Sequence, residues 1–158
     1  MIKVKKPTYY AMLILTLSGP ALAQEGPSYD DTVSFIRDKI ETKIHSFEVD
    51  KKTCGISISS KDQLQSEIFS FSLADVDPSE IRTNRSSITI NIINYNDRIR
   101  RDWQISSSAC RSDEKCSGTD YTGSIFLTAL NKNPDNSERL GRAFEHLVRI
   151  CGGREQLF

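Results

Sequence analysis

Along the chain the spacing of apolar residues changes three times, and each change marks an element. Tyr29, Val33, Ile36, Ile40 and Ile44 recur at steps of three and four. That spacing gathers side chains on one face of a helix, with Asp38, Lys39, Glu41 and Lys43 mostly off it. Ser28 can cap the first free amides, and Asp31 stands at the reciprocal position three residues later. The stripe predicts an N-terminal amphipathic helix from Ser28 to near His45.

After it the period becomes two. Phe47 and Val49, then Cys54, Ile56 and Ile58, then Phe69, Phe71 and Leu73, then Ile88, Ile90 and Ile92 alternate with polar residues. A sheet with one buried and one wet face requires such alternation. Lys51-Lys52-Thr53 can turn, and Asp77-Pro78 interrupts, so 75–85 reads as a connection. Tyr95-Asn96-Asp97-Arg98 reads as a hairpin turn, because Asn and Asp tolerate left-handed backbone angles. Ile99, Trp103 and Ile105 would line the inner face of the returning strand, with Arg101 in register among them.

The segment from Ser106 to Gly123 has no apolar period and reads as a long polar loop. Ile125, Leu127 and Ala129 (or Phe126, Thr128 and Leu130) make a last strand. In the final helix, opened by Asn133-Pro134, Leu140, Phe144, Leu147 and Cys151 share a face, and Gly152-Gly153 supplies a stop. Consecutive strands between two helices predict an α+β fold: a curved antiparallel sheet or partly open barrel of five to seven strands, with an N-terminal helix and a capping C-terminal helix.

The first 23 residues follow different physics. Lys3, Lys5 and Lys6 are followed by the short apolar run from Ala11 to Leu17, a break at Gly19-Pro20, and Ala21-Leu22-Ala23. This order reads as a secretory signal peptide over 1–23, cleaved before Gln24, with 24–158 as a single exported domain. Spanning a bilayer takes roughly 20 apolar residues, and Pro20 cuts the run short. The whole chain balances 21 basic against 21 acidic residues; loss of three leader lysines leaves the remainder at −3. That charge exerts no global pull toward nucleic acid or anionic lipid, and no transmembrane segment is expected in the mature chain.

Export would place Cys54, Cys110, Cys116 and Cys151 where thiols oxidise, so the even count predicts two disulfides. Three pairings are formally open. Cys110 and Cys116 bracket a short polar segment and can close a tight loop, and elimination then joins Cys54 to Cys151. In the chain-entropy model the short link contributes about 2.4 kcal/mol and the long one about 4.7 kcal/mol.

Glu138 to Gly153, containing Ala143-Phe144-Glu145-His146-Leu147 and Cys151-Gly152-Gly153, resembles the closing helix of a broad group of small exported bacterial proteins. Their mature part opens with a helix like Ser28–Ile40 and ends in an A-[FL]-x-H-L-x-x-x-C-G-G segment; Phe69 to Val76 is similar to that group as well. The resemblance implies a bacterial exported domain with a barrel like that of pleckstrin-homology domains. It implies no activity, cofactor or site residue.

Candidate chemistry is sparse. His146 and Cys151 are five apart on a helix, about 140° between side-chain directions, so they do not meet, and an oxidised Cys151 is no nucleophile. His45 would sit at a helix end, where an imidazole suits the dipole. Cys110-x5-Cys116 is wider than usual zinc spacing, and no histidine pair accompanies it. Neither Ser106-Ser107-Ser108 nor the segment from Gly118 to Gly123 matches a nucleophile elbow or a phosphate loop. Arg98, Arg100 and Arg101, with Arg82 and Arg85, form the one basic concentration; beside the reading as a surface for phosphate or an acidic partner stands the wet face of a hairpin guarding a sheet edge.

The sequence thus predicts a non-catalytic exported binding domain, periplasmic or extracellular, without cofactor or metal. Its partner would be an envelope protein or small ligand, not nucleic acid. Its surface would be the stapled loop and the Arg98, Arg100 and Arg101 hairpin. The rival readings are a small envelope hydrolase built on Asp75, Asp77 and Glu80, or an inhibitor of an exported enzyme.

Overall fold

Ser28 starts the first helix as its sequence requires: its hydroxyl accepts from the Asp31 amide at 3.1 Å and donates to the Asp31 carboxylate at 2.7 Å. In the computed structural model, which describes residues 26–40, 44–92, 98–112 and 114–153, this helix is α1, Tyr29–Lys39. It ends at Lys39, more than a turn before the His45 that the apolar stripe predicts. Ile40 is already extended and bridges Ala129, and Ile44 opens a strand, so His45 lies on an exposed strand position, not at a helix end. β-Branched Ile40 and Ile44 fit either period, and strand pairing decides between them.

Five strands form one antiparallel sheet: β1 Ile44–Val49, β2 Gly55–Lys61, β3 Gln65–Ser72, β6 Ile99–Ile105 and β7 Ser117–Thr122, in the order β1-β2-β3-β6-β7. Three more form a second: β4 Val76–Thr83, β5 Ser87–Ile92 and β8 Ser124–Thr128, in the order β4-β5-β8. The second helix, α2 Pro134–Ile150, packs on β4, β5 and α1. The α+β class and both terminal helices match the sequence reading, with eight strands among the described residues instead of five to seven. The two sheets do not close into a barrel of the kind the family resemblance implied.

Three local expectations are corrected. The 75–85 stretch is mostly strand β4, and Pro78 is tolerated because β4 is an edge whose register shifts between Val76 and Ile81. The hairpin from β5 to β6 does not form. β5 lies between β4 and β8, while β6 lies between β3 and β7 in the other sheet; the turn residues 95–97 fall outside the described residues. The polar stretch before Gly123 holds strand β7, whose composition gave no apolar alternation to read because both its faces are largely wet.

The core lies between the helices and the two sheets. Ile36, Leu140, Phe144, Leu147 and Val148 from the helices meet Phe47, Ile58, Ile88, Ile90 and Ile99 from the strands, all buried. Gly141 faces Thr83 so closely that a methyl group there would collide with the threonine side chain. Gly141→Ala should therefore destabilise by about 1–3 kcal/mol, although the same change in an exposed helix stabilises; chemical denaturation reads the sign.

The cysteines stand in two pairs at disulfide distance. Cys54 and Cys151 have Cα atoms 5.7 Å apart and join the β1–β2 turn to the end of α2. Cys110 and Cys116, 5.6 Å apart, close the loop between β6 and β7. Cys54 takes the left-handed φ of 54°, a position that usually selects glycine, so its sulfur is obtained at some backbone cost.

Candidate functional site

Antiparallel register fixes which side chains share a face of the five-stranded sheet. Ile58 opposes Phe69, Phe69 opposes Arg101, and Arg101 opposes Asp120 across four adjacent strands. One step toward the open end, Ser60 opposes Glu67 and Glu67 opposes Trp103. The inner face therefore passes from an apolar half, under the helices, to a polar half centred on Glu67 and Arg101.

Arg101 holds Glu67 in a fork. Its Nε donates to Glu67 Oε1 at 2.9 Å, its Nη2 donates to the same oxygen, and its Nη1 reaches Asp120 Oδ2 at 3.4 Å. Gln65 Nε2 adds a third bond to Glu67 Oε1 at 2.7 Å. All of these fall on Oε1. No buried side-chain oxygen of the described residues lacks a partner, so Oε2 is in reach of solvent. Of the ion pairs among the described residues this is the most enclosed, with side chains 34% and 22% exposed. It forms the floor of a groove of about 350 Å³ whose far wall is Ile125, Phe126 and Leu127 of β8. A second hollow of about 310 Å³ continues it past Ser60, Glu67 and Arg101 to the β2–β3 turn at Asp62.

The stapled loop borders this end of the sheet. Ser106 N donates to Leu64 O and Ile105 N to Cys116 O, each at 2.7 Å, tying the loop to the β2–β3 turn and to β6. Exposed Leu64 sits beside it.

The three arginines expected to form one surface are each held by different acidic partners. Arg98 pairs with Asp75 at 3.2 Å, Arg100 pairs with Asp102 at 3.0 Å on the outer face, and Arg101 faces inward. They make no joint basic patch. Nor does β6 guard an edge, since β3 and β7 flank it. The sheet edge that is guarded is β1, where Arg37 donates to Phe47 O at 3.3 Å and Tyr29 to Val49 O at 3.4 Å.

Asp75, Asp77 and Glu80 do not converge. Asp75 holds Arg98, Asp77 is buried and accepts from Ser79, and Glu80 pairs with Arg82. His146 Nε2 contacts Pro27 O at 2.8 Å, holding the lead-in to α1 against α2. No cluster of metal-binding side chains occurs among the described residues. Two larger hollows, of about 530 and 520 Å³, lie between α1 and β1 and between the helices. In the second, Arg139 lies 5.1 Å over the Phe35 ring. Neither holds an enclosed ion pair like that of Glu67 and Arg101.

Glu67 was legible in principle. It precedes Phe69 by two and so shares its face, just as Arg101 shares that of Ile99. Two opposite charges at inward positions of different strands are the available signal; the β3–β6 pairing that joins them was not.

On the outer face the Thr119 hydroxyl, followed by Arg100, holds the Asp102 carboxyl below the usual carboxylate value. A depressed folded value stabilises above the unfolded pKa of about 3.9. That contribution disappears as pH falls through the lower folded value. Thr119→Val should raise the Asp102 pKa toward its ordinary value, as read by NMR titration of its carboxyl carbon.

Comparison with known proteins returns no matching family model, no matching curated sequence and no matching solved structure. The site's chemistry alone carries the functional reading.

Proposed function

We propose that this chain is an exported, non-catalytic binding domain that recognises its ligand at the open end of the five-stranded sheet. The surface comprises the groove over Glu67 and Arg101 and the loop closed by Cys110 and Cys116. The observation that carries the reading is the Glu67 carboxylate. Held through one oxygen by Arg101 and Gln65, it offers the other in a groove with an apolar wall. A fixed acceptor beside apolar surface suits recognition of a donor group on an amphipathic partner.

Export is supported by the leader-like first 23 residues and by the two cysteine pairs. No described helix is long and apolar enough to cross a membrane. An envelope protein or a small envelope molecule is the expected ligand. Intact-mass analysis of protein recovered from the cell envelope should give residues 24–158 less four hydrogens. A full-length, fully reduced mass from cytosol contradicts the compartment. For the loop, Cys110→Ser with Cys116→Ser should reduce capture of envelope components by the purified mature chain. Undiminished capture removes the loop from the surface.

A further inference from the structure

The two edges of the five-stranded sheet are treated differently. Side chains of α1 cap the outward carbonyls of β1, but among the described residues nothing caps β7. The ladder between β6 and β7 shows which groups are open. Ile105 N donates to Cys116 O, so Gly118, Asp120 and Thr122 turn their amides and carbonyls to β6. Ser117, Thr119 and Tyr121 turn theirs outward, and the Tyr121 side chain is 59% exposed. An open edge of this kind is a template for another strand.

We infer that β7 pairs with β7 of a second copy of this chain, antiparallel about a two-fold axis at Thr119, giving one continuous sheet. Only outward-facing residues can bond, which restricts the register. Pairing Thr119 with itself and Ser117 with Tyr121 uses all three outward residues, for about six hydrogen bonds. A shift of two residues one way brings Asp120 opposite its own copy, where like charges repel. The shift the other way leaves Tyr121 unpaired.

The favoured register is also complementary in charge. It sets Asp120 directly opposite Gly118 of the other copy. The space where a Gly118 side chain would stand lies 3.2 Å from Lys115 Nζ, on the face that carries Asp120. Each copy thus presents its Lys115 ammonium to the other's Asp120 carboxylate, twice over by symmetry. The Trp103 ring lies nearer still to that position, at 2.9 Å, so the glycine makes room for the indole with the Lys115 ammonium beside it, and Asp120 is half-exposed to take part. This association does not rest on the ligand reading, but it shares Lys115 with the Cys110–Cys116 loop and Asp120 with Arg101, and it would set two grooves side by side.

Three paired residues make a small interface, so dimers should populate between about 10 µM and 1 mM and weaken with added salt. Sedimentation equilibrium of the mature chain tests this. Amides of Ser117, Thr119 and Tyr121 should gain exchange protection as concentration rises, whereas those of Gly118, Asp120 and Thr122 are protected throughout. Tyr121→Pro removes an outward donor without touching the β6 ladder and should leave only monomer. Lys115→Glu should raise the dissociation constant at least about tenfold while circular dichroism remains native. A monomer at every concentration overturns the inference, as does a dimer that survives Tyr121→Pro or one indifferent to Lys115→Glu. Binding of a separate Ser117–Thr122 peptide to a chain that stays monomeric would also overturn it, in favour of an extended partner segment.

Discussion

Serine at both Cys54 and Cys151 is expected to lower the free energy of unfolding by about 4–5 kcal/mol, the largest loss from removing any one link in this molecule. The sequence separation is 97 residues, against 6 for Cys110 and Cys116. Closing the longer loop removes more conformational freedom from the unfolded chain, so the shorter link should contribute only about 2.4 kcal/mol. The long link also anchors the end of α2, whose apolar side chains cover the three-stranded sheet. Without it the last turn, from Leu147 to Cys151, should fray first. Paired urea titrations of the two double variants decide the matter. Equal losses would show that the long link does not confine the unfolded chain as its length requires.

Phe144→Ala should cost about 3–5 kcal/mol. The ring is fully buried and meets Phe47 edge-on, with centroids 5.7 Å apart and planes at 86°. Phe144 belongs to α2 and Phe47 to β1, so this contact joins the C-terminal helix to the five-stranded sheet. Neighbouring Leu140 and Leu147 are held by the same helix and cannot both move into the void, so the cavity persists. Exposed Phe126 provides the contrast: Phe126→Ala should stay within about 0.5 kcal/mol. Thermal or urea unfolding of the two variants measures both. A Phe144 variant as stable as the Phe126 variant would contradict the placement of the core.

Much of this arrangement could be read from residue spacing because burial leaves a local trace. Ile88, Ile90 and Ile92 alternate because one face of β5 is covered, and Leu140, Phe144 and Leu147 repeat because one side of α2 is covered. Failures arose where the cause was not local. Ile44 continues a helical stripe on paper, yet its pairing with Ser60 across the β1–β2 ladder makes it a strand residue. Pro78 looked like a break because a strand's tolerance for proline depends on having an open edge, which only the order of the sheet reveals. β5 and β6 are neighbours in sequence but separate in space, so a hairpin was expected where the chain changes sheets.

The candidate site follows the same division. The stapled loop was visible from two nearby cysteines. The arginine run divides between the faces: successive strand residues face opposite ways, so Arg101 turns to Glu67 while Arg100 pairs with Asp102 on the other face. The Glu67–Arg101 pair spans 34 residues and depends on the register of β3 against β6, information distributed over both strands.

Capture of envelope components by the Glu67→Gln variant, beside wild type and an Arg142→Ala control on the exposed side of α2, tests the binding surface most directly. Glutamine keeps the size of Glu67 and removes the charge it presents in the groove. Recognition at this end of the sheet predicts at least about tenfold weaker capture by Glu67→Gln, with the control unchanged. Equal capture by all three proteins would show that the ligand sits elsewhere.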